Sequence, residues 1–173
     1  MTKPAPSPWI RRFAPLLPPA GRVLDLACGG GRHTRFLLEA GHRVTALDRD
    51  LSGLSDLTGT PGLEPVEADL EDGHPFPLAG RDFDGVVVTN YLNRPLLPDL
   101  VAAVAPGGLL LYETFARGNE RLGKPSNPDF LLRPGELLAA VEGRLRVLAY
   151  EDLIVESPRK AAVQRICARN EGP

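Results

Sequence analysis

Cysteine is scarce in this 173-residue chain, with Cys28 and Cys167 the only two. Two cysteines cannot build a disulfide framework, and such usage fits a reducing compartment. Long apolar runs are missing too, and nothing approaches the ~20 residues that a membrane-crossing helix needs. The start, Met1-Thr2-Lys3-Pro4-Ala5-Pro6-Ser7-Pro8, has no apolar core and does not read as a signal peptide. A cytoplasmic protein with no membrane partner is therefore expected. Charge of one sign is not in excess either: 20 basic and 22 acidic residues leave a formal net charge of −2. No global positive field exists to hold a polyanion, so a nucleic-acid partner is not expected, although a local basic patch stays open. His33, His42 and His74 do not pair with cysteines at zinc spacing, and no metal site is expected. No repeat at solenoid periods is visible.

What is present suits an ordinary soluble domain, with 43% hydrophobic and 24% charged residues. The length fits one domain, read as a Pro-rich segment with a short helix over 1–20 and a core over 21–168. Proline is abundant at 18 residues, and clusters at the N-terminus and in connections, where it stiffens the chain. A short amphipathic helix over 9–17 would place Trp9, Phe13 and Leu16 on one side.

Beyond it, strands and helices alternate. Strands are expected at 22–26, 42–47, 63–68, 83–89 and 109–113. Helices are expected at 33–40, 51–57, 96–104 and 136–142. The run Val86-Val87-Val88 is apolar on both faces, which marks a central strand. Two last strands, 146–155 and 161–168, are joined by Ser157-Pro158-Arg159. That link is too short for a crossover helix, so they form an antiparallel hairpin. The expected fold is α/β: a Rossmann-like, seven-stranded, mostly parallel sheet with helices on both faces and a C-terminal antiparallel hairpin.

The segment Val23-Leu24-Asp25-Leu26-Ala27-Cys28-Gly29-Gly30-Gly31 is a strand, an acid and a tight glycine loop leading into a helix. Glycines let backbone approach a ligand closely. At the carboxyl end of a parallel strand, such a loop lies where open α/β sheets bind ligands. No Gly-Lys-Ser/Thr follows, which opposes a nucleoside triphosphate. A dinucleotide fingerprint is incomplete, because Thr34 occupies its final glycine or alanine position. Three acids follow strand ends: Asp25, Asp48 and Asp69. Asp48 is placed to accept ribose hydroxyls, and Asp69 to accept from an adenine amine. Asp25 is placed near a ligand's ammonium, directly or through water. Ammonium, sulfonium, ribose and adenine together describe S-adenosyl-L-methionine, which has no phosphate to cradle.

Residues 23–31 resemble motif I of the class I S-adenosylmethionine-dependent methyltransferases. Asp48 matches that family's ribose acid, and Asp69-Leu70 its adenine-edge position. Ala105-Pro106-Gly107-Gly108-Leu109-Leu110-Leu111 resembles the turn before its fifth strand. The likeness spans about residues 20–168. Residues 27–33 also resemble small bacterial tellurite-resistance-type methyltransferases. The resemblance implies that Asp25, Ala27, Cys28, Gly29, Gly31, Asp48, Arg49, Asp69, Leu70 and Asn90 contact the cofactor. It also places Asn90 and Tyr91 beside the transferable methyl group, with simple loop packing as the competing reading.

No general base stands out, and Tyr91 and His33 are the only catalytic candidates. His33 starts a helix near the ligand's methionine end; otherwise it is a surface or capping residue. Cys28 reads as a buried filler rather than a nucleophile. Residues 115–132, with Arg117, Arg121 and Lys124, form either a lid over an anionic acceptor or a solvated loop. Trp9 and Phe13 either cover the cofactor cleft or pack on the sheet. A small-molecule acceptor, soft or anionic, is expected, with in-line methyl transfer. An RNA methyltransferase and a non-catalytic S-adenosylmethionine- or nucleotide-binding protein are the alternatives. Monomer and homodimer are equally open.

Overall fold

Seven strands form one sheet in the computed structural model, which describes residues 2–173. The strands are β1 (Arg22–Leu26), β2 (Arg43–Asp48), β3 (Leu63–Glu67), β4 (Phe83–Thr89), β5 (Val104–Phe115), β6 (Arg146–Val155) and β7 (Ala161–Arg169). Their spatial order is β3-β2-β1-β4-β5-β7-β6. The first five run parallel, and β7 is antiparallel to both β5 and β6. The expected mixed sheet with a terminal hairpin is what the chain forms. Strand order reverses between β1 and β4, which opens a crevice at their carboxyl ends.

Burial explains the central strands. Val23, Leu24 and Leu26 of β1, and Val86, Val87 and Val88 of β4, are inaccessible to solvent. Alternate residues of each strand feed two opposite apolar layers. On one face lie α3 (Leu97–Ala102) and α4 (Glu136–Val141), with Leu100, Leu137 and Val141 packed on Leu24, Val86 and Leu110. On the other lie α1 (Pro8–Phe13) and α2 (Arg32–Glu39), with Trp9, Ile10, Phe13 and Leu37 packed on Val23, Val87 and Leu109.

Several boundaries differ from the sequence reading, each for a physical reason. The first helix stops at Phe13 and continues as a 3-10 turn, Ala14–Leu16. Ile10 and Leu17 are buried there, whereas Leu16 is 46% exposed, so Leu16 does not share the inward face of Trp9 and Phe13. The 51–57 segment is a 3-10 helix, Ser52–Leu57. The helix expected over 96–104 ends at Ala102, and Val104 already pairs with Phe83.

The Pro106-Gly107-Gly108 segment is not a helix-to-strand turn but a bulge inside β5. Val104 faces Phe83 and Leu109 faces Gly85, so β5 carries extra residues between the two pairs. Asn170 locks the bulge by accepting from the Gly107 N–H and donating its own N–H to the Gly108 carbonyl. A Cβ on Gly108 would lie 2.9–3.0 Å from the carbonyl oxygens of Ala105, Asp84 and Phe83. Backbone on three sides cannot yield cheaply. Gly108→Ala is therefore expected to destabilise the fold by about 2 kcal/mol, read from urea denaturation. An unchanged midpoint would show that the bulge relaxes freely.

Candidate functional site

The glycine loop is shaped by two close approaches. Gly31, at φ +79°, caps the start of α2 where Leu54 fills the space a Cβ would need. Gly53 lies against the loop, and a Cβ on it would meet Gly30 Cα at 2.8 Å and Gly29 O at 2.9 Å. By contrast, a Cβ on Gly29 or Gly30 would meet nothing within 4 Å, so the loop's other side faces open space.

That space is a cleft of two connected parts. The larger, 760 Å³, is walled by Asp48, Arg49, Asp69, Leu70 and Glu71 on one side. Leu92, Thr114, Phe115, Pro125 and Phe130 stand on the other, and Tyr91 contributes as well. The smaller, 450 Å³, is walled by Cys28, Gly29, Gly30, Arg32, His33, Thr89 and the N-terminal Lys3 and Pro4. Ala27 and Asn90 border both parts. Both of these junction residues have positive φ, +53° and +54°, which non-glycine residues adopt only under constraint.

The acids sit at different depths. Asp48, ending β2, accepts the Gly29 N–H at 2.8 Å through Oδ2 and the Asp50 N–H at 3.1 Å through Oδ1. The residue also walls the larger cavity. Asp69 accepts the Glu71 N–H at 2.9 Å and also faces that cavity. Asp25 is different: it is buried, accepts the Thr34 hydroxyl at 2.6 Å, and is not a wall of either cavity. Burial raises its pKa to about 6, against the lowering effect of Thr34. The Thr34 side chain, which spoils a dinucleotide fingerprint, is thus the partner that makes a buried acid tolerable.

The two catalytic candidates offer no free base. The His33 Nε2 accepts the Ser7 N–H at 3.0 Å, which leaves Nδ1 protonated toward Thr89 Oγ1 at 3.3 Å. Burial, then the Arg32 charge, lower its pKa to about 4, so it is neutral near pH 7. The residue is neither a surface nor a capping histidine. Burial raises the Tyr91 phenol, and the Glu71 charge raises it further. Burial pushes the Cys28 thiol up to about 12, with Asp25 and Asp48 adding to the effect, so the thiolate is disfavoured. Among the described residues, no group of three or more His, Cys, Asp or Glu is arranged to hold a metal ion.

Trp9 and Phe13 pack on the sheet and are not walls of the cleft. The covering is done instead by the residues ahead of them. Ser7 donates to Glu113 at 2.7 Å, Lys3 pairs with Asp56, and Arg32 donates to the Ala5 carbonyl at 3.3 Å. Sequence reasoning missed Arg32, Glu71, Thr114, Phe115, Pro125 and Phe130 as cleft walls. Arg32 was findable as the residue following the glycine loop. The others come from the loop after β3, the end of β5 and the long loop that follows it, and no local pattern links them. Arg117, Arg121 and Lys124 are exposed and do not wall the cleft. Nor is their loop simply solvated: buried Asn119 donates to the Pro125 carbonyl, and Arg94 donates to the Asp129 and Leu131 carbonyls.

Asp25 and His33 have opposed pH slopes. Between pH 3.8 and about 6, folded Asp25 holds a proton that the unfolded chain has released, so stability falls as pH rises. Between about 4 and 6.5, unfolded His33 holds a proton that the folded state lacks, so stability rises with pH. Asp25→Asn is expected to leave the rising slope alone, and His33→Gln the falling one. Urea midpoints across that range check this, and two variants with the same profile would contradict it.

Comparison with known proteins agrees with this geometry. Residues 23–108 match a family model described as "Methyltransferase domain". A malonyl-[acyl-carrier protein] O-methyltransferase from Serratia marcescens is 32% identical over 114 residues, covering 58% of this chain and 41% of that protein. A trans-aconitate 2-methyltransferase from Paracidovorax citrulli is 35% identical over 102 residues, covering 54% and 38%. The chain thus spans about two-fifths of the length of these curated relatives. In fold, it resembles TehB from Haemophilus influenzae, with a TM-score of 0.73 at 20% identity, over 94% of this chain and 61% of that one. An S-adenosylmethionine-dependent methyltransferase from Mesorhizobium loti gives 0.72 at 19% identity, over 92% and 96%. Residues 23–108 thus match a methyltransferase domain, and the strand order and the acid-lined cleft agree with the fold of a class I S-adenosylmethionine-dependent methyltransferase.

Proposed function

We propose that this protein transfers the methyl group of S-adenosylmethionine to a small-molecule acceptor held in the same cleft. The observation that carries this reading is Asp48: a carboxylate at the end of β2, facing the cavity while one oxygen is fixed by the Gly29 N–H. A fixed carboxylate at this point suits the two hydroxyls of a ribose. An acidic wall of Asp48, Asp69 and Glu71 suits a ligand with no phosphate in that cavity.

In this reading, Asp69 and the Leu70 backbone serve the adenine, and Arg49 lies beside the ribose. Ala27 and Asn90 shape the passage between the two cavities, Cys28 and Gly29 wall the smaller one, and Gly31 sets the turn into α2. The smaller cavity receives the amino-acid end. Arg32, bonded among the described residues only to a main-chain carbonyl, is the natural partner for its carboxylate. Asp25 acts from beneath, holding α2 through Thr34.

Held there, S-adenosylmethionine would supply a methyl group activated by its sulfonium, with a neutral thioether as the leaving group. The protein's part is then to orient and to exclude water. The segment from Lys3 to Ser7 closes one end of the cleft, and the loop bearing Pro125 and Phe130 borders the other. The absence of a free base at His33 and Tyr91 suits an acceptor already able to attack. Cavities of 760 and 450 Å³ lie in the size range of small-molecule sites. A net charge of −2 favours such an acceptor over RNA.

Asp48→Ala is expected to weaken S-adenosylmethionine binding by about 1–3 kcal/mol, the scale of hydrogen bonds lost to a charged group. Calorimetry reads it, with NAD as the control ligand. Unchanged affinity, or tight NAD binding with no response to S-adenosylmethionine, would overturn the assignment.

A further inference from the structure

We infer that the methyl acceptor is a neutral or cationic molecule with a flat apolar body, and not an oxyanion or carboxylate. This deepens the reading above and rests on it. Once Asp48, Arg49, Asp69 and Leu70 are assigned to the adenosine, the rest of the larger cavity is left for the acceptor. Its walls are Tyr91, Leu92, Thr114, Phe115, Pro125 and Phe130, with Glu71 as the one charged group. Three of these seven are aromatic.

No basic side chain faces this part of the cavity. Arg117, Arg121 and Lys124 point elsewhere. Arg94 is held in an ion pair with Glu136 and by two main-chain carbonyls. Arg165 is shared between Glu113 and Glu151. Arg159 donates to the Lys124 carbonyl while lying 5.7 Å from the Phe115 ring centroid. Arg49 is the single basic wall residue, and it adjoins Asp48 on the ribose side.

The wall is built rather than incidental. Asn119, 1% exposed, donates to the Pro125 carbonyl at 2.9 Å and accepts the Ala162 N–H at 3.1 Å. Arg94 fixes the main chain on both sides of Phe130. Phe130 itself stands 46% exposed at the cavity mouth. An anion entering here loses water against apolar surface and gains no cation, while Glu71 and Asp69 repel it. A cation or a neutral aromatic meets ring faces and a favourable field. The carboxylate acceptor for which the trans-aconitate relative is named is therefore not this chain's.

The test compares two probes of matched size, 2-phenylethylammonium and 3-phenylpropanoate, titrated at pH 7 into protein saturated with S-adenosylhomocysteine. The ammonium is expected to bind about tenfold tighter or better. Glu71→Gln should shrink that preference to about threefold or less, and Phe130→Ala should weaken both probes several-fold. Tighter or equal binding of the carboxylate, no binding of either probe at roughly 10 mM, or a preference untouched by both substitutions would overturn the inference. Saturation by S-adenosylhomocysteine is measured first. Failure there sinks the methyltransferase reading and this one together, whereas normal saturation with a reversed probe preference sinks only this one.

Discussion

The reversal of strand order between β1 and β4 is the constraint on which the cleft depends. Because β2 leaves β1 on one side and β4 flanks it on the other, loops after β1 and β4 cannot cover each other. The space between them is closed by backbone held in unusual conformations, at Ala27 and Asn90. Both residues are pinned through neighbouring strands: Cys28 N–H bonds the Leu47 carbonyl, and Asn90 N–H bonds the Glu113 carbonyl. The strain is thus carried by the sheet, which is buried and rigid, and the cleft inherits that rigidity.

A second layer of order comes from polar groups placed out of solvent. Asp25 and His33 begin and follow the glycine loop, and each is satisfied by a side chain or main-chain group from elsewhere. His33 ties the N-terminal segment to α2 and, through Thr89, to the end of β4. Glu113 then joins Ser7 to Arg165, so the segment before α1 is linked to the terminal hairpin. Removing one partner would leave a buried group unpaired, which costs more than the bond itself contributes. The covering of the smaller cavity is therefore coupled to the C-terminal strands, although nothing in their local sequence announces it.

Much of the fold was legible because its signals are local. Val86-Val87-Val88 can only be a strand buried on both faces, and the five residues between β6 and β7 permit only a hairpin. The place of Asp48 at the carboxyl end of β2 was legible because it closes an apolar run and precedes a turn. What escaped was set by distant contacts. Leu16 fits a helical stripe, yet the helix tightens to a 3-10 turn and turns it outward. Pro106-Gly107-Gly108 reads as a turn, but Asn170, far along the chain, holds it as a bulge. Asp25, read as an acid near a ligand's ammonium, lies buried against the Thr34 hydroxyl and is not a wall of either cavity. The charges at Arg117, Arg121 and Lys124 suggested an anion lid, whereas the cleft is met by the apolar residues that flank them, Phe115, Pro125 and Phe130. Side-chain direction in a long loop depends on anchors such as Asn119 and Arg94, and composition does not reveal those.

The central claim is that one cleft, centred on Ala27 and Asn90, holds S-adenosylmethionine with its adenosine toward Asp48 and Asp69 and its amino-acid end toward Arg32. A crystal structure with S-adenosylhomocysteine tests this most directly. The account predicts ribose hydroxyls on Asp48, the adenine amine beside Asp69, and the sulfur at the junction, facing the Phe115–Phe130 wall. Ligand density outside this cleft, or the adenosine lying in the smaller cavity, would contradict it.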